Sequence, residues 1–537
     1  MNKHVWPCLT VAVLLVCCAR GSVSIGTPLD DYVHKVDPHY RWSDTGKRLT
    51  GFLPWAKWEG AVLDMTSQEW LSPAETDCSV WTHDLVVVRP GHYDHTKTAL
   101  LLVGDGDNGD TPSPTDELLI LAATVAVNTK SLVAVVYQVP NQPCYFTAEH
   151  PKRARREDDL IAYTWAHFLD YPDQTEWPLR LPMTKAVLRA MDTVQSFASE
   201  AYNTMVENFV LTGASKRGWA AWVTAAVDDR IVGTIPIVMD VLNFNPNMHH
   251  FYQALGGWPL AFKSYFDLNL TARIDTPEFS QLMAIVDPYS YRDRLTMPKL
   301  IISTSNDEFF LIDDSDYFWT DLPGEKHLLI LSNTEHTLIT GIPKLLVAVE
   351  AFFLSIAEGH ELSSTNKDPY LKGTSLLQMP EENGLQERRP GYGGRPKYWW
   401  YINKAAGTIE VGVAEKPTKV ILWYAYTTKG ATARDFRWFS KDNGNCLTIA
   451  IKGYCIHPVF FRRRTIKPCS VDSDSGMRTY VASIPFPEEG YGAFYVELRF
   501  SGPKVLTPFV FTTGAVVLPD MLPFEDCRGE MCKGILV

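Results

Sequence analysis

Short apolar runs alternate with helical patterns between residues 80 and 350, and this alternation constrains the fold most strongly. Each run holds a few Val, Ile and Leu residues in near succession, which is typical of parallel strands buried on both faces. Helical segments separate the runs; in residues 183–201, for example, Val187, Met191 and Val194 recur on one face. The pattern predicts a doubly wound, mostly parallel α/β sheet with right-handed crossovers. The runs lie at 84–90, 98–107, 131–140, 208–213, 231–240, 298–304 and 326–332.

The composition changes after this region. Residues 359–396 are rich in Gly, Pro and charged residues, which predicts a linker or long loop. From 397 to 520, short strands of alternating polarity are separated by turn residues, which predicts an all-β, sandwich-like module. Residues 22–358 would then form the α/β domain, and residues 521–537 a cysteine-containing tail.

The first 21 residues have the pattern of a cleaved signal peptide. Lys3 provides a positive charge, residues 11–18 are apolar, and Ala19 and Gly21 fit a small-residue cleavage site. The apolar run is short for a membrane span, although an uncleaved anchor is the alternative. We therefore expect a secreted protein without a transmembrane segment.

Charge and cysteine content limit the partners and the compartment. The net charge is −12, from 50 basic and 62 acidic residues, so we expect no nucleic-acid partner. Five of the seven cysteines beyond the signal peptide lie in the last hundred residues, which predicts local disulfides in the C-terminal module and one unpaired thiol. The sequon at Asn269 predicts a glycosylation site. The seven cysteines are Cys78, Cys144, Cys446, Cys455, Cys469, Cys527 and Cys532.

The segment with the clearest chemical pattern is Gly-Ala-Ser-Lys-Arg-Gly at 213–218. It joins an apolar strand to a helix, which is the layout of a nucleophile elbow with Ser215 as nucleophile. The backbone N–H of Lys216 would then be one oxyanion donor. The pattern is imperfect, because Arg217 stands where G-x-S-x-G has its second glycine, and an ordinary turn serine is the alternative.

Two later strands supply partners for Ser215 in the order that such a fold requires. Asp307 follows the strand at 298–304, and His336 follows the strand at 326–332. Both positions lie beyond the carboxyl ends of strands, where open α/β sheets bind ligands. Asp240, after an earlier strand, is the alternative acid.

Further candidates surround this predicted triad. The loop after residue 103 should provide a second oxyanion donor at Gly104 or Asp105. Arg180 and Asp240 are candidate substrate contacts, although Arg180 could instead pair with an internal acid. We expect no metal and no cofactor, since the histidine pairs His92/His95 and His249/His250 lack a third ligand at suitable spacing.

Four stretches carry a resemblance to a known family: DLIAYTWAHFL, EWPLRLPMTKAVLRAMDTV, LTGASKRGWAAWVTAAVDDRIVGTIPIVMDVLN and SNDEFF. They resemble the PhoPQ-activated pathogenicity-related protein family, which includes a eukaryotic group of autocrine proliferation repressors. The resemblance covers residues 30–350 strongly and the C-terminal part loosely. It implies an α/β-hydrolase similar to dipeptidyl-peptidase and prolyl-oligopeptidase enzymes, with Ser215, Asp307 and His336 as the triad, and it explains Arg217, because the family shares the GASKRG turn.

These observations lead to a functional hypothesis with two alternatives. We expect a secreted serine hydrolase, an aminopeptidase or related peptidase, that forms an acyl-enzyme with a peptide or small ester substrate. By analogy with the eukaryotic group, the resemblance also implies an extracellular signalling role and a possible cell-surface receptor. The alternatives are a carboxylesterase, and a binding or signalling protein that uses a hydrolase scaffold without catalysis.

Overall fold

The computed structural model describes residues 26–53, 56–365, 394–442, 444, 446, 449–451 and 453–537. The predicted signal peptide at 1–21 lies outside the described residues, as does most of the predicted linker. The first part of that linker, residues 359–365, is not a loop, because the last helix of the α/β region continues to Thr365. No helix among the described residues is both long and apolar enough to cross a membrane.

A twisted sheet flanked by helices forms the α/β region. Its strands are β1 (Arg41–Leu53), β2 (Ala56–Glu69), β3 (Val80–Pro90), β4 (His95–Val103), β5 (Ser131–Val136), β6 (Asn208–Ala214), β7 (Ile231–Ile237), β8 (Lys299–Thr304) and β9 (Lys326–Leu331). Its helices are α1 (Pro28–His34), α2 (Glu117–Thr129), α3 (Glu157–Asp170), α4 (Arg180–Tyr202), α5 (Lys216–Ala225), α6 (Phe244–Leu255), α7 (Lys263–Asp267), α8 (Pro277–Val286) and α9 (Ile342–Thr365).

The strand order is β1-β2-β3-β5-β4-β6-β7-β8-β9, and the pairs from β5 to β9 are parallel. The central strands are buried on both faces, as the unbroken burial of β5 and β8 illustrates. Helices α2 and α9 cover one face, and α4 and α5 cover the other. This arrangement confirms the predicted mostly parallel, doubly wound sheet.

The C-terminal part is antiparallel β structure, as predicted. Its strands are β10 (Tyr398–Asn403), β11 (Thr408–Val413), β12 (Lys419–Tyr426), β13 (Phe439–Lys441), β14 (Ile449–Ile451), β15 (Tyr454–Ile456), β16 (Arg462–Thr465), β17 (Ser470–Val471), β18 (Arg478–Ser483), β19 (Gly492–Lys504), β20 (Thr507–Thr512) and β21 (Val516–Leu518). One separate sheet has the order β10-β11-β18-β17, and a small one has the order β13-β15-β14.

The boundary of this C-terminal part differs from the prediction. Strands β20, β19, β12 and β16 continue the main sheet beyond β9, so the region 397–520 is not an independent module. The four-stranded sheet packs against this extension, and their shared core includes Ile409, Val496 and Phe511 together with Phe352 of α9. The sandwich-like packing is present, but one of its two layers belongs to the main sheet.

The tail at 521–537 also packs against the α/β region. The carbonyl of Cys532 accepts a hydrogen bond from Trp258 Nε1 at 2.8 Å, and Leu536 forms a parallel bridge with Trp258. Two of the disulfides are local, as predicted, and join Cys446 to Cys455 and Cys527 to Cys532. A third, between Cys78 and Cys144, lies in the α/β region, and Cys469 is an exposed free thiol.

Candidate active site

Ser215 lies in a strained turn between β6 and α5. Its φ is 54° and its ψ is −127°, a conformation that costs energy and occurs at nucleophile elbows. The turn requires its two glycines because backbone passes close to both. A Cβ on Gly213 would lie 2.8 Å from the carbonyl of Arg217, and one on Gly218 would lie 2.8 Å from the carbonyl of Gly213. The close approach therefore uses Gly218 rather than position 217.

Position 217 has a different role. The Arg217 guanidinium forms two hydrogen bonds of 2.6 Å with the Glu157 carboxylate and donates to the Val139 carbonyl at 2.7 Å. These contacts tie the first turn of α5 to the start of α3 and to the segment after β5. Arg217 therefore stabilises the position of the elbow.

The structure brings Ser215, Asp307 and His336 together. Ser215 Oγ lies 2.9 Å from His336 Nε2, and His336 Nδ1 lies 2.9 Å from each carboxylate oxygen of Asp307. Asp307 lies three residues beyond β8, and His336 lies five residues beyond β9. Both loops leave the carboxyl edge of the sheet, where β6 also delivers Ser215.

Backbone donors hold the Asp307 carboxylate in place. Its Oδ1 accepts hydrogen bonds from the N–H groups of Phe309 and Phe310 at 2.8 and 3.1 Å, and its Oδ2 accepts one from the Thr304 hydroxyl at 3.1 Å. The N–H of His336 donates to Glu308 at 3.0 Å, which links the two loops directly. The carboxylate is thus oriented toward the imidazole before any substrate binds.

The environment of His336 predicts a pH dependence. Burial alone would lower the pKa of its imidazole, but the charge of Asp307 and their hydrogen bond outweigh burial and raise the pKa above its ordinary value of 6.5. A protonated imidazole cannot accept the serine proton, so kcat/KM for an uncharged ester should rise with pH along a limb centred above pH 6.5. In Asp307→Asn, residual activity should have a lower midpoint; a wild-type midpoint below 6.5 would contradict this.

Asp240 is neither the acid partner of His336 nor a substrate contact. It is 3% exposed, and no hydrogen bond joins it to His336 among the described side chains. Burial, followed by repulsion from Asp307, raises the pKa of Asp240 to about 7. Asp240 follows β7, whereas Asp307 follows β8 and is the carboxylate that contacts the imidazole.

Arg180 is likewise not placed to meet a substrate. Its side chain is 2% exposed, and Nη1 donates to the Lys216 carbonyl at 2.5 Å. The guanidinium lies over the Trp219 ring, 4.5 Å from its centroid. Burial lowers the pKa of Arg180 to about 9, so it remains charged at neutral pH. Arg180 therefore supports α5 from beneath the elbow.

Of the predicted oxyanion donors, Gly104 is excluded, because its N–H donates to the Val136 carbonyl at 2.8 Å. Lys216 begins α5, where first-turn N–H groups have no acceptor within the helix. Val103 pairs with Gly213 in parallel register, so Asp105 and Ser215 each lie two residues beyond that pair on neighbouring strands. Lys216 and Asp105 therefore remain the candidate donors.

A pocket lies beside Ser215, and its empty space is about 620 Å³ when the open solvent at its mouth is included. Helices α3, α5, α6, α7 and α8, residues 270–274 and the Asp307 loop supply its walls, which are mostly apolar. Such pockets are typical binding sites for the bulk of a small organic ligand. Aromatic lining residues are Trp165, Trp219, Phe244, Phe262, Tyr265, Phe279, Phe309 and Phe310.

Three of the four histidines for which the sequence predicted no metal site form hydrogen bonds or ion pairs with carboxylates. His249 lies 2.9 Å from Asp275 and 2.7 Å from Asp526, and His92 lies 2.8 Å from Asp94. His250 lies 3.1 Å from Asp313, which also pairs with Arg434. The side chain of His95 lies outside the described residues.

Asn269, the predicted glycosylation site, is half-buried at the end of α7 in a left-handed turn with a φ of 56°. Its glycosylation stays a prediction.

The C-terminal β region supports the active-site loops. The sequence did not predict this support. Asn306, next to Asp307, donates to the carbonyls of Phe436 and Val459 at 2.8 and 3.1 Å. Asn333, three residues before His336, donates to the carbonyl of Phe461 at 3.0 Å and accepts from its N–H at 2.7 Å. The asparagines flank the triad in sequence, but their partners lie over 100 residues away, so no local pattern reveals them.

Sequence reasoning also missed two acids beside the elbow, Glu157 and Asp158. Lys216 Nζ lies 2.9 Å from Glu157 and 3.1 Å from Asp158. Burial would raise the pKa of Glu157, but the hydrogen bonds and charge of Arg217 hold it well below its usual range. These acids stand at the start of α3, where carboxylates are common for helix-dipole reasons, so their type and position carried no distinguishing signal.

Sheet order, the elbow at Ser215 and the loops after β8 and β9 define an α/β-hydrolase fold. The family model for PhoPQ-activated pathogenicity-related protein matches residues 29–383. The chain is 34% identical over 530 residues to Autocrine proliferation repressor protein A of Dictyostelium discoideum, covering 96% of this chain and 95% of that protein. The chain therefore belongs to the PhoPQ-activated pathogenicity-related protein family.

Solved structures of similar fold include two acetyl xylan esterases. The enzyme from Paenibacillus sp. R4 is 14% identical, with a TM-score of 0.40, over 59% of this chain and 91% of that one. Acetyl xylan esterase 1 from Thermoanaerobacterium sp. JW/SL YS485 is 13% identical, with a TM-score of 0.39, over 61% and 93%. Similarity at this level bears on neither substrate nor mechanism.

Proposed function

We propose that this protein is a secreted serine hydrolase that cleaves ester or amide bonds through an acyl-enzyme. The observation that carries the proposal is the unbroken chain of hydrogen bonds from Ser215 Oγ through His336 to Asp307, each of 2.9 Å, beside an apolar pocket. Nucleophile, base and orienting acid in this geometry are the requirements for acyl transfer.

In the proposed reaction, His336 Nε2 accepts the Ser215 proton as Oγ attacks the substrate carbonyl. Asp307 accepts a hydrogen bond from Nδ1–H, which holds the imidazole in the tautomer whose Nε2 is free to accept a proton. Its charge also stabilises the imidazolium that forms. The carbonyl oxygen becomes an oxyanion, which the N–H of Lys216 and that of Asp105 would stabilise. His336 then protonates the leaving alcohol or amine. In the second half of the reaction His336 accepts a proton from water as the water attacks the acyl-enzyme, and it then returns a proton to Ser215 Oγ as the acid product leaves.

Secretion is supported by the disulfides. Three pairs among seven described cysteines are unusual for a reducing compartment and common in secreted proteins.

A signalling role is the second candidate. The relative from Dictyostelium discoideum is named as a proliferation repressor, and it aligns with this chain over almost its whole length. We therefore propose that this protein also represses proliferation from outside the cell, through a receptor or through the products of hydrolysis.

A fluorophosphonate probe tests the hydrolase proposal directly, since it reacts with an activated serine but not with an ordinary one. The folded wild-type protein should take up one probe molecule, and peptide mass spectrometry should place it on Ser215. Heat-denatured protein is the control and should take up none. Absence of labelling in a correctly folded preparation would refute the proposal.

A further inference from the structure

The chemistry of the pocket beside Ser215 indicates what it can bind. Trp165 lies in its wall, and the centroid of its ring is 5.8 Å from that of Trp219, 5.8 Å from that of Phe244 and 5.4 Å from that of Tyr265. Burying a bulky apolar group among such rings stabilises a complex in proportion to the apolar area that is removed from water. The pocket can therefore contribute strongly to binding only if the substrate places an apolar group there.

The charged groups around this pocket are already paired. Asp158 lines the pocket, and both of its oxygens are used: Tyr265 donates to Oδ1 at 3.1 Å, and Lys216 Nζ lies 3.1 Å from Oδ2. Glu157 is held by Arg217 and Lys216. Each carboxylate therefore already has a cationic partner, and the ammonium group of an aminopeptidase substrate would have to compete for it with Lys216 or Arg217.

The local balance of charge is also unfavourable to a cation. Arg180 lies over one face of Trp219, and none of its hydrogen bonds in the described chain goes to a carboxylate. Where α3 meets α5, three cations, Arg180, Lys216 and Arg217, therefore face two carboxylates. The carboxylate of Asp307, which also lies near Ser215, is paired with His336. Aromatic rings can bind ammonium groups through their faces, but here a guanidinium occupies one face and an ammonium lies in the wall.

From this geometry we propose that the pocket binds an uncharged, bulky apolar group next to the scissile bond, and that the Lys216–Asp158 pair excludes a substrate ammonium. The proposal rests on the proposed hydrolase function. It specifies neutral aromatic or branched esters and amides as the substrate class and disfavours substrates with a free amino terminus. One indole N–H, that of Trp165 Nε1, is buried without an acceptor among the described residues, so it is free to donate a hydrogen bond to a ligand oxygen.

Isosteric substrates test this proposal. A 4-tert-butylphenyl group and a 4-trimethylammoniophenyl group have nearly the same shape and differ in charge. Each group is placed once on the acyl half and once on the alcohol half of an ester. The kcat/KM of each ester is divided by its rate constant for hydrolysis by hydroxide, so that differences in intrinsic reactivity cancel. On at least one half, the neutral group should be preferred by about 10- to 100-fold. Equal rates, or preference for the cation, would overturn the proposal.

Lys216→Met provides a test by gain of function. It leaves Asp158 without its ammonium partner, so the preference for the neutral substrate should fall by about tenfold or more. The double variant Lys216→Met/Asp158→Asn is the matched control and should regain the neutral preference, because the exposed charge is removed. If Lys216→Met keeps the wild-type preference, the ion pair does not set specificity.

The volume of the pocket has its own test. Met248→Trp, in the pocket wall, should reduce hydrolysis of the tert-butylphenyl ester at least about tenfold more than hydrolysis of methyl acetate. Met205→Trp, at a position 73% exposed, is the control and should change neither. An equal loss on both esters with Met248→Trp would mean that the bulky group binds elsewhere.

Binding to Ser215→Ala separates failure of this inference from failure of the hydrolase proposal. Calorimetry with 4-tert-butylphenol and with 4-hydroxyphenyltrimethylammonium needs no catalysis. Tighter binding of the neutral phenol would support the pocket assignment even if the wild-type protein took up no fluorophosphonate. Tighter binding of the cation would overturn the assignment even in an active hydrolase.

Discussion

Replacing Ser215 by alanine should lower kcat for ester hydrolysis by about a millionfold and abolish fluorophosphonate labelling. Alanine keeps the Cβ but removes the hydroxyl that forms the acyl-enzyme, so no covalent route remains. The measurement is turnover of a neutral aryl ester, with labelling followed in parallel. Because the substitution removes only an oxygen that bonds to His336, the thermal unfolding midpoint should stay close to that of the wild type.

The same variant decides between the two proposed roles. If repression of proliferation depends on hydrolysis, Ser215→Ala protein added to responsive cells should be inactive. If the protein signals by binding alone, the variant should act as the wild type does. Ester turnover that survives the substitution would instead show that Ser215 is not the nucleophile.

Asp307→Asn should lower kcat by about 10,000-fold, because an amide neither favours the Nδ1–H tautomer of His336 nor stabilises the imidazolium. Asp240→Asn is the matched control, since it makes the same chemical change on the neighbouring strand. Burial raises the pKa of Asp240 to about 7, so below that pH its carboxyl is already neutral and the amide is a close mimic. We expect this control to remain within about tenfold of wild type.

Steady-state kinetics at pH 6.5, with unfolding curves for both variants, would check this pair. A loss in Asp240→Asn as large as that in Asp307→Asn would mean that the triad acid is assigned wrongly. A small loss in Asp307→Asn would mean that His336 is oriented by other contacts, for example by the hydrogen bond from its backbone N–H to Glu308.

Local patterns were sufficient for the seven strands from β3 to β9 and for the three residues that meet at the edge of the sheet, but they did not predict β1 and β2. Continuous apolar runs report strands buried on both faces, and small residues around Ser215 report a tight crossing of strand and helix. Chain order then identified Asp307 and His336, because parallel strands deliver their carboxyl ends to one edge. Gly218 shows the limit of such patterns. The elbow needs a glycine where the two backbones meet, but this glycine lies one residue later than in the common G-x-S-x-G motif, so a search for the motif does not find it.

Contacts between distant segments could not be foreseen in the same way. Alternating polarity looks the same in a free-standing sandwich and in strands added to the edge of β9, so the C-terminal boundary depended on which hydrogen-bonding edge was available. Arg180 and Gly104 had suitable chemistry for the roles predicted, but burial over Trp219 and a bond to Val136 commit them elsewhere. Residue type and order along the chain specify which groups can react. The pairing of charges, such as Lys216 with Asp158, depends on three-dimensional packing, and this pairing controls which substrates can approach the reactive groups.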